Sequence, residues 1–125
     1  MRFQLVNFCK INWEMIRLLV FITGLGTLIG SLILKSASPQ NVNRVYGYRT
    51  KRSKKNQKLW DFAQKYSAKV LTITAVLNIV IGLIIMIFVK FDNEYYLFFE
   101  LGWVVVSILP VFLLTERKLM EMEQC

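Results

Sequence analysis

Arg49 is the side chain with the clearest chemical use. It lies two residues beyond Gly47, which permits a tight backbone turn, and a guanidinium so placed can clamp a carboxylate or a lipid phosphate through two parallel hydrogen bonds. Glu116, at the end of the last apolar stretch, has two readings: a solvated boundary marker, or the mate of Arg49 in an ion pair that docks the two segments. Ser53 reads as a helix N-cap and Asn56 as a loop-fixing amide. Tyr48 and Trp60 are amphipathic rings suited to the membrane–water boundary or to a partner surface.

Catalytic chemistry has little to work with. The chain has no His, and neither a phosphate-binding glycine loop nor a nucleophile with a neighbouring base. Cys9 and Cys125 stand at opposite ends, without the spacing of a metal site or a disulfide framework. Glu100 is the one acid within an apolar stretch, five residues into it and shallow enough to reach water. A non-enzymatic protein without cofactor or metal is expected.

The elements that position these residues are set by hydropathy. Of 125 residues, 55% are apolar, and the mean hydropathy is +0.45. The apolar residues form long blocks instead of alternating with polar ones: Leu18 to Leu34, Val70 to Val89 and Leu101 to Thr115 contain no charge. A helix needs about 20 residues to cross the roughly 30 Å hydrocarbon core. The expectation is a single all-α integral membrane domain over 1–125, with three transmembrane helices at about 15–34, 69–89 and 95–115. The first block resembles a signal peptide, but its 17 residues exceed the usual apolar region and Lys35 would sit near the cleavage site, so it is read as an anchor. Phe8 to Met15 is expected along the membrane surface, ahead of Arg17.

Between the first two spans, 35–68 forms a basic loop. Ten of the sixteen Lys and Arg residues lie from Lys35 to Lys69, with Asp61 the sole acid. Positive residues near helix ends stay in the cytoplasm, which places the loop and carboxyl terminus inside and the amino terminus outside. Loop and tail together hold twelve positives against four on the other side. Leu59, Phe62, Ala63, Tyr66 and Val70 form one helical stripe, expected as a short amphipathic helix on the cytoplasmic surface with Trp60 at the apolar boundary. The basic charge suits an acidic lipid surface, and without a recognition motif it gives no reason to expect nucleic acid. Within the membrane, Thr23, Thr27 and Ser31 recur beside Gly26 and Gly30, and Thr74, Asn78 and Gly82 form a comparable line. Small and hydroxyl residues at this spacing are expected at helix–helix contacts, in one copy or in a homo-oligomer.

The segment Asn43-Arg44-Val45-Tyr46-Gly47-Tyr48-Arg49-Thr50, followed by Ser53, Asn56, Trp60 and Ala63, resembles the signature loop of the SdpI family of bacterial membrane proteins. Thr115, Glu116 and Leu119 are similar to its closing Thr-Glu-x-x-Leu. Gln64 stands where the family commonly has asparagine, and Ser67 or Ala68 where it has glycine. The resemblance implies a binding protein of the bacterial cell membrane, giving immunity against a membrane-active peptide toxin or signalling at the envelope through a regulatory partner. An oligomeric transporter-like or lipid-handling subunit is the rival reading, and a structural partner in a larger complex is a third.

Overall fold

The computed structural model describes residues 18–90 and 95–125, without the side chains of 96 and 97. Three helices follow in order: α1, Leu19–Ser36; α2, Gln57–Phe88; and α3, Tyr95–Gln124. The described residues contain no strand, and all three helices are long and apolar enough to cross a membrane. The all-α, three-helix class expected from hydropathy is the class observed. The segment Phe8 to Met15, Arg17, Cys9 and residues 91–94 lie outside the described residues.

The bundle is apolar outside and small or polar inside. Ile22, Ile29 and Ile33 of α1, Ile73, Leu77 and Ile87 of α2, and Phe98, Val105 and Leu113 of α3 are each about half exposed or more. Ser31, Thr74, Asn78 and Thr115 are buried. In water such a surface would drive aggregation, whereas lipid tails solvate it at no cost.

α1 packs along α2, and α3 packs mainly against α2. The closest backbone approach falls at Gly24 and Gly82. A Cβ added to Gly24 would sit 2.8 Å from the Ile79 backbone nitrogen, and one on Gly82 would sit 2.7 Å from that of Phe21. Gly26 and Gly30, expected at a helix–helix contact in one copy or in a homo-oligomer, make none within this chain, where the space around them is open. At about 100° per residue, they lie roughly 200° and 240° around α1 from Gly24, on the face turned away from α2. Thr23 and Thr27 also differ from expectation, because their hydroxyls donate to the Leu19 and Thr23 carbonyls of α1 itself. Asn78 does bond across helices. Its Nδ2 donates to Ser107 Oγ at 3.1 Å and its Oδ1 accepts from Trp103 Nε1 at 3.2 Å, tying α2 to α3 at mid-depth.

α2 and α3 overrun the membrane at the same end. At 1.5 Å rise per residue, the 32 residues of α2 span about 48 Å and the 30 of α3 about 45 Å, against a hydrocarbon core of roughly 30 Å. The expected amphipathic helix, whose stripe leads into the second span, is the opening turns of α2, continuous with that span. Their stripe is covered by α3: Leu59 and Ala63 pack with Leu119 in a small core that Tyr48, Phe62 and Met122 flank.

Candidate functional site

Residues 37–56 leave α1 and fold onto the projecting ends of α2 and α3. Asn43 shapes the first bend, its Oδ1 accepting from the backbone nitrogens of Val45 and Tyr46 at 3.0 and 3.1 Å. The Tyr46 hydroxyl donates back to the Ala37 carbonyl at 2.8 Å. Gly47 then adopts φ +104°, where a Cβ would lie 2.5 Å from Gln64 Oε1 and 2.9 Å from the Pro39 ring. Glycine is required here both by the left-handed backbone and by the space.

Two residues of α2, one turn apart, hold both arms of the loop. Trp60 is fully buried and its indole donates to the Pro39 carbonyl at 2.9 Å. Gln64 is buried and grips the backbone of Tyr48, accepting from its nitrogen at 2.7 Å and donating to its carbonyl at 2.9 Å. The amide thereby copies the donor–acceptor pair of a neighbouring strand. Trp60 is not at the apolar boundary, because the loop covers it.

A second turn follows. Ser53 Oγ accepts from the Thr50 nitrogen at 2.9 Å and lies 3.1 Å from the carbonyls of Tyr48 and Thr50, while the Ser53 nitrogen donates to Thr50 Oγ1 at 3.1 Å. Ser53 was expected to cap α2; the cap is Asn56, whose Oδ1 accepts from the Leu59 nitrogen at 2.8 Å. The helix starts at Gln57, too far along for Ser53, whose buried hydroxyl serves the turn.

The third attachment, to α3, is electrostatic. The Tyr48 hydroxyl lies 3.1 Å from Glu116 Oε1 and 3.3 Å from the Phe112 carbonyl. Burial, together with the nearby Glu116 charge, pushes this phenol above its usual range. Arg52 Nε stands 3.4 Å from Glu116 Oε2, the Arg52 guanidinium also pairs with Glu123, and Lys55 Nζ reaches Glu123 Oε1 at 2.5 Å. The expected Arg49–Glu116 pair is therefore replaced by Arg52–Glu116. The Tyr48 hydroxyl reaches α3, whereas the neighbouring Arg49 is exposed. Thr115 is fully buried, its hydroxyl on the Val111 carbonyl at 2.6 Å. Glu100, expected to reach water, is also fully buried. Among the described residues no group of side chains is arranged to hold a metal ion.

The sequence model of the SdpI/YfhL protein family matches residues 40–115, from this loop to the buried Thr115. The chain belongs to the SdpI/YfhL family. The YfhL protein of Bacillus subtilis (strain 168) is 32% identical over 92 residues, which cover 74% of this chain and 77% of that one. No solved structure matches.

Seen on the fold, the SdpI-family signature is chiefly a fastening. Gly47, Tyr48, Thr50, Ser53, Asn56, Trp60 and Glu116 meet where the loop closes on α2 and α3, Asn43 shapes the bend that leads there, and the Arg49 side chain is exposed. Gly26, Gly30 and Asn78 lie in the spans, away from it. Gln64, Arg52 and Glu123 belong to the site but were missed from the sequence. Gln64 had a usable signal, one helical turn after Trp60 on the same face. Arg52 had none, being one cation among ten.

Proposed function

We propose that this SdpI-family chain is a multi-pass protein of a bacterial cell membrane that acts by binding, protecting the cell from a membrane-active peptide toxin or relaying its presence. The observation that carries this reading is the division of the signature: its polar side chains other than the exposed Arg44 hold the loop in one shape, and Arg49 stands exposed beside the Gly47 turn of that shape. A guanidinium on a preorganised turn favours a planar anionic group on a partner, because little rotational freedom remains to be lost on binding. The positive-inside rule supports a loop and carboxyl terminus in the cytoplasm and an amino terminus outside.

The test is growth of a deletion strain exposed to secreted peptide toxins, complemented by the wild type and by Arg49→Lys. Restoration of resistance by the wild type and its loss with Arg49→Lys, at equal membrane abundance, is the expected result; equal sensitivity of deletion and parent strains would end the immunity reading. A second reading, an oligomeric lipid-handling or transporter-like subunit, is favoured by the groove of about 550 Å³ between α2 and α3, mostly apolar in its lining, with Asn78 and Trp103 among the residues that line it. Lipid or ion flux in reconstituted vesicles would support it.

A further inference from the structure

Adjoining the α2–α3 groove along α2, with Lys69 and Ile73 lining both, a second groove of about 500 Å³ lies between α2 and α1. Leu34, Ala68 and Ile73 supply apolar lining, and Lys35, Lys65 and Lys69 line it as well. The depth follows from the sequence. Lys35 directly follows the uncharged run of α1 and Lys69 directly precedes that of α2, so in two antiparallel neighbours both mark the level where hydrocarbon gives way to headgroups. Lys65 is one turn further out, about 6 Å along the axis.

Among the described residues these three cations form no ion pair, and no carboxylate lines the groove. Glu116 and Glu123 are engaged by Arg52 and Lys55, and Glu121 by Lys118. Asp61, one turn before Lys65, lines an adjoining hollow with it but not the groove, and accepts from Gln57 at 2.7 Å. Mutual repulsion of three lysines that line one groove is relieved by an anion, and the groove running from them into the hydrocarbon zone is shaped for an attached chain. We propose that it is a site for one acidic phospholipid, the headgroup phosphate held by Lys35, Lys65 and Lys69 and an acyl chain lying along Leu34, Ala68 and Ile73. Gln64, which grips Tyr48, also borders the groove, so the bound lipid lies against the fastening of the signature loop.

Native mass spectrometry of the full chain, released from mild detergent with equal phosphatidylglycerol and phosphatidylcholine, tests this directly. The wild type is expected to retain one phosphatidylglycerol in preference to phosphatidylcholine. Each lysine removed should lower that retention roughly fivefold, the equivalent of about 1 kcal/mol per lysine near an acidic surface. The triple variant Lys35→Gln, Lys65→Gln, Lys69→Gln should lose the preference, while Lys51→Gln, Lys54→Gln, Lys58→Gln, with the same charge change on exposed residues elsewhere, should keep it. Ile73→Trp fills the apolar part without touching a charge and should also reduce retention; Ile73 is half exposed, so the larger ring does not threaten the fold. Equal retention of the two lipids by the wild type, or equal loss in both triple variants, would overturn the proposal. Displacement of the lipid by inorganic phosphate would do so as well, because it would assign the lysines to a free anion.

Discussion

Arg52 and Lys55 face carboxylates of their own chain, whereas Lys35, Lys65 and Lys69 face a groove that holds none. Residue type does not separate these two regions; what lies opposite does. α3 runs past the apolar boundary and carries Glu116 and Glu123 to the loop, so cations on that side of α2 become fasteners. On the α1 side the helix stops at Ser36, no acid is supplied, and the cations remain available to an anion from outside. A basic loop that looks uniform in sequence is thus two electrostatic environments set by where the neighbouring helices end.

The comparison can be broken most forcefully at the fastener side. Trp60→Ala empties a fully buried site and strips the Pro39 carbonyl of its donor, and it should lower stability by about 3–5 kcal/mol in a detergent unfolding series. Gly47→Ala should cost about 1–3 kcal/mol, since a left-handed backbone and a crowded Cβ act together. A loss below about 0.5 kcal/mol in both would mean that the loop is not a fixed part of the fold.

Finer tests ask which charges are coupled. A double-mutant cycle on Arg52→Gln and Glu116→Gln should show roughly 0.5 kcal/mol of coupling, weakened by salt, while Arg49→Gln with Glu116→Gln should be additive. For Glu123, the hydrogen bond from Lys55 and the charge of Arg52 hold the carboxyl below its ordinary value of 4.5. With the folded value depressed, its contribution is complete above the unfolded value and is lost as pH falls through the folded one. The melting temperature should therefore drop less steeply between about pH 5 and pH 3 in Glu123→Gln than in wild type. The smallest effect belongs to the open region: in neutral, lipid-free detergent, the triple glutamine variant at Lys35, Lys65 and Lys69 should unfold within about 0.5 kcal/mol of the wild type. A larger loss would show that these lysines are fasteners too.

The sequence made the architecture legible because the signal is long-range and redundant: three uncharged blocks near the length of a membrane crossing admit few arrangements. It also located the signature segment. What it could not show was the direction of each side chain. Arg49 and Arg52 are three residues apart and equally charged, and only the path of the loop through the turn closed by Ser53 decides which one reaches Glu116. The glycines teach the same lesson. Gly24, Gly26, Gly30 and Gly82 are alike in composition, but rotation about the helix axis puts two in contact and two facing outward. Gln64 stood out in the sequence as a departure from the family pattern and as a neighbour of Trp60 one turn on, but its grip on the Tyr48 backbone depends on a loop path that neither signal gives.

The unbroken run of α2 has a mechanical meaning. The 13 residues from Gln57 to Lys69 project about 20 Å beyond the apolar stretch as one stiff rod, with no hinge between loop and bilayer. A tilt of the span by roughly 10°, well inside the range that bilayer thickness alone can impose, swings the outer tip by about 3 Å. Because Trp60 and Gln64 ride on that rod and hold the loop, the surface bearing Arg49 moves with it, and the thickness of the surrounding membrane becomes an input to the loop's position.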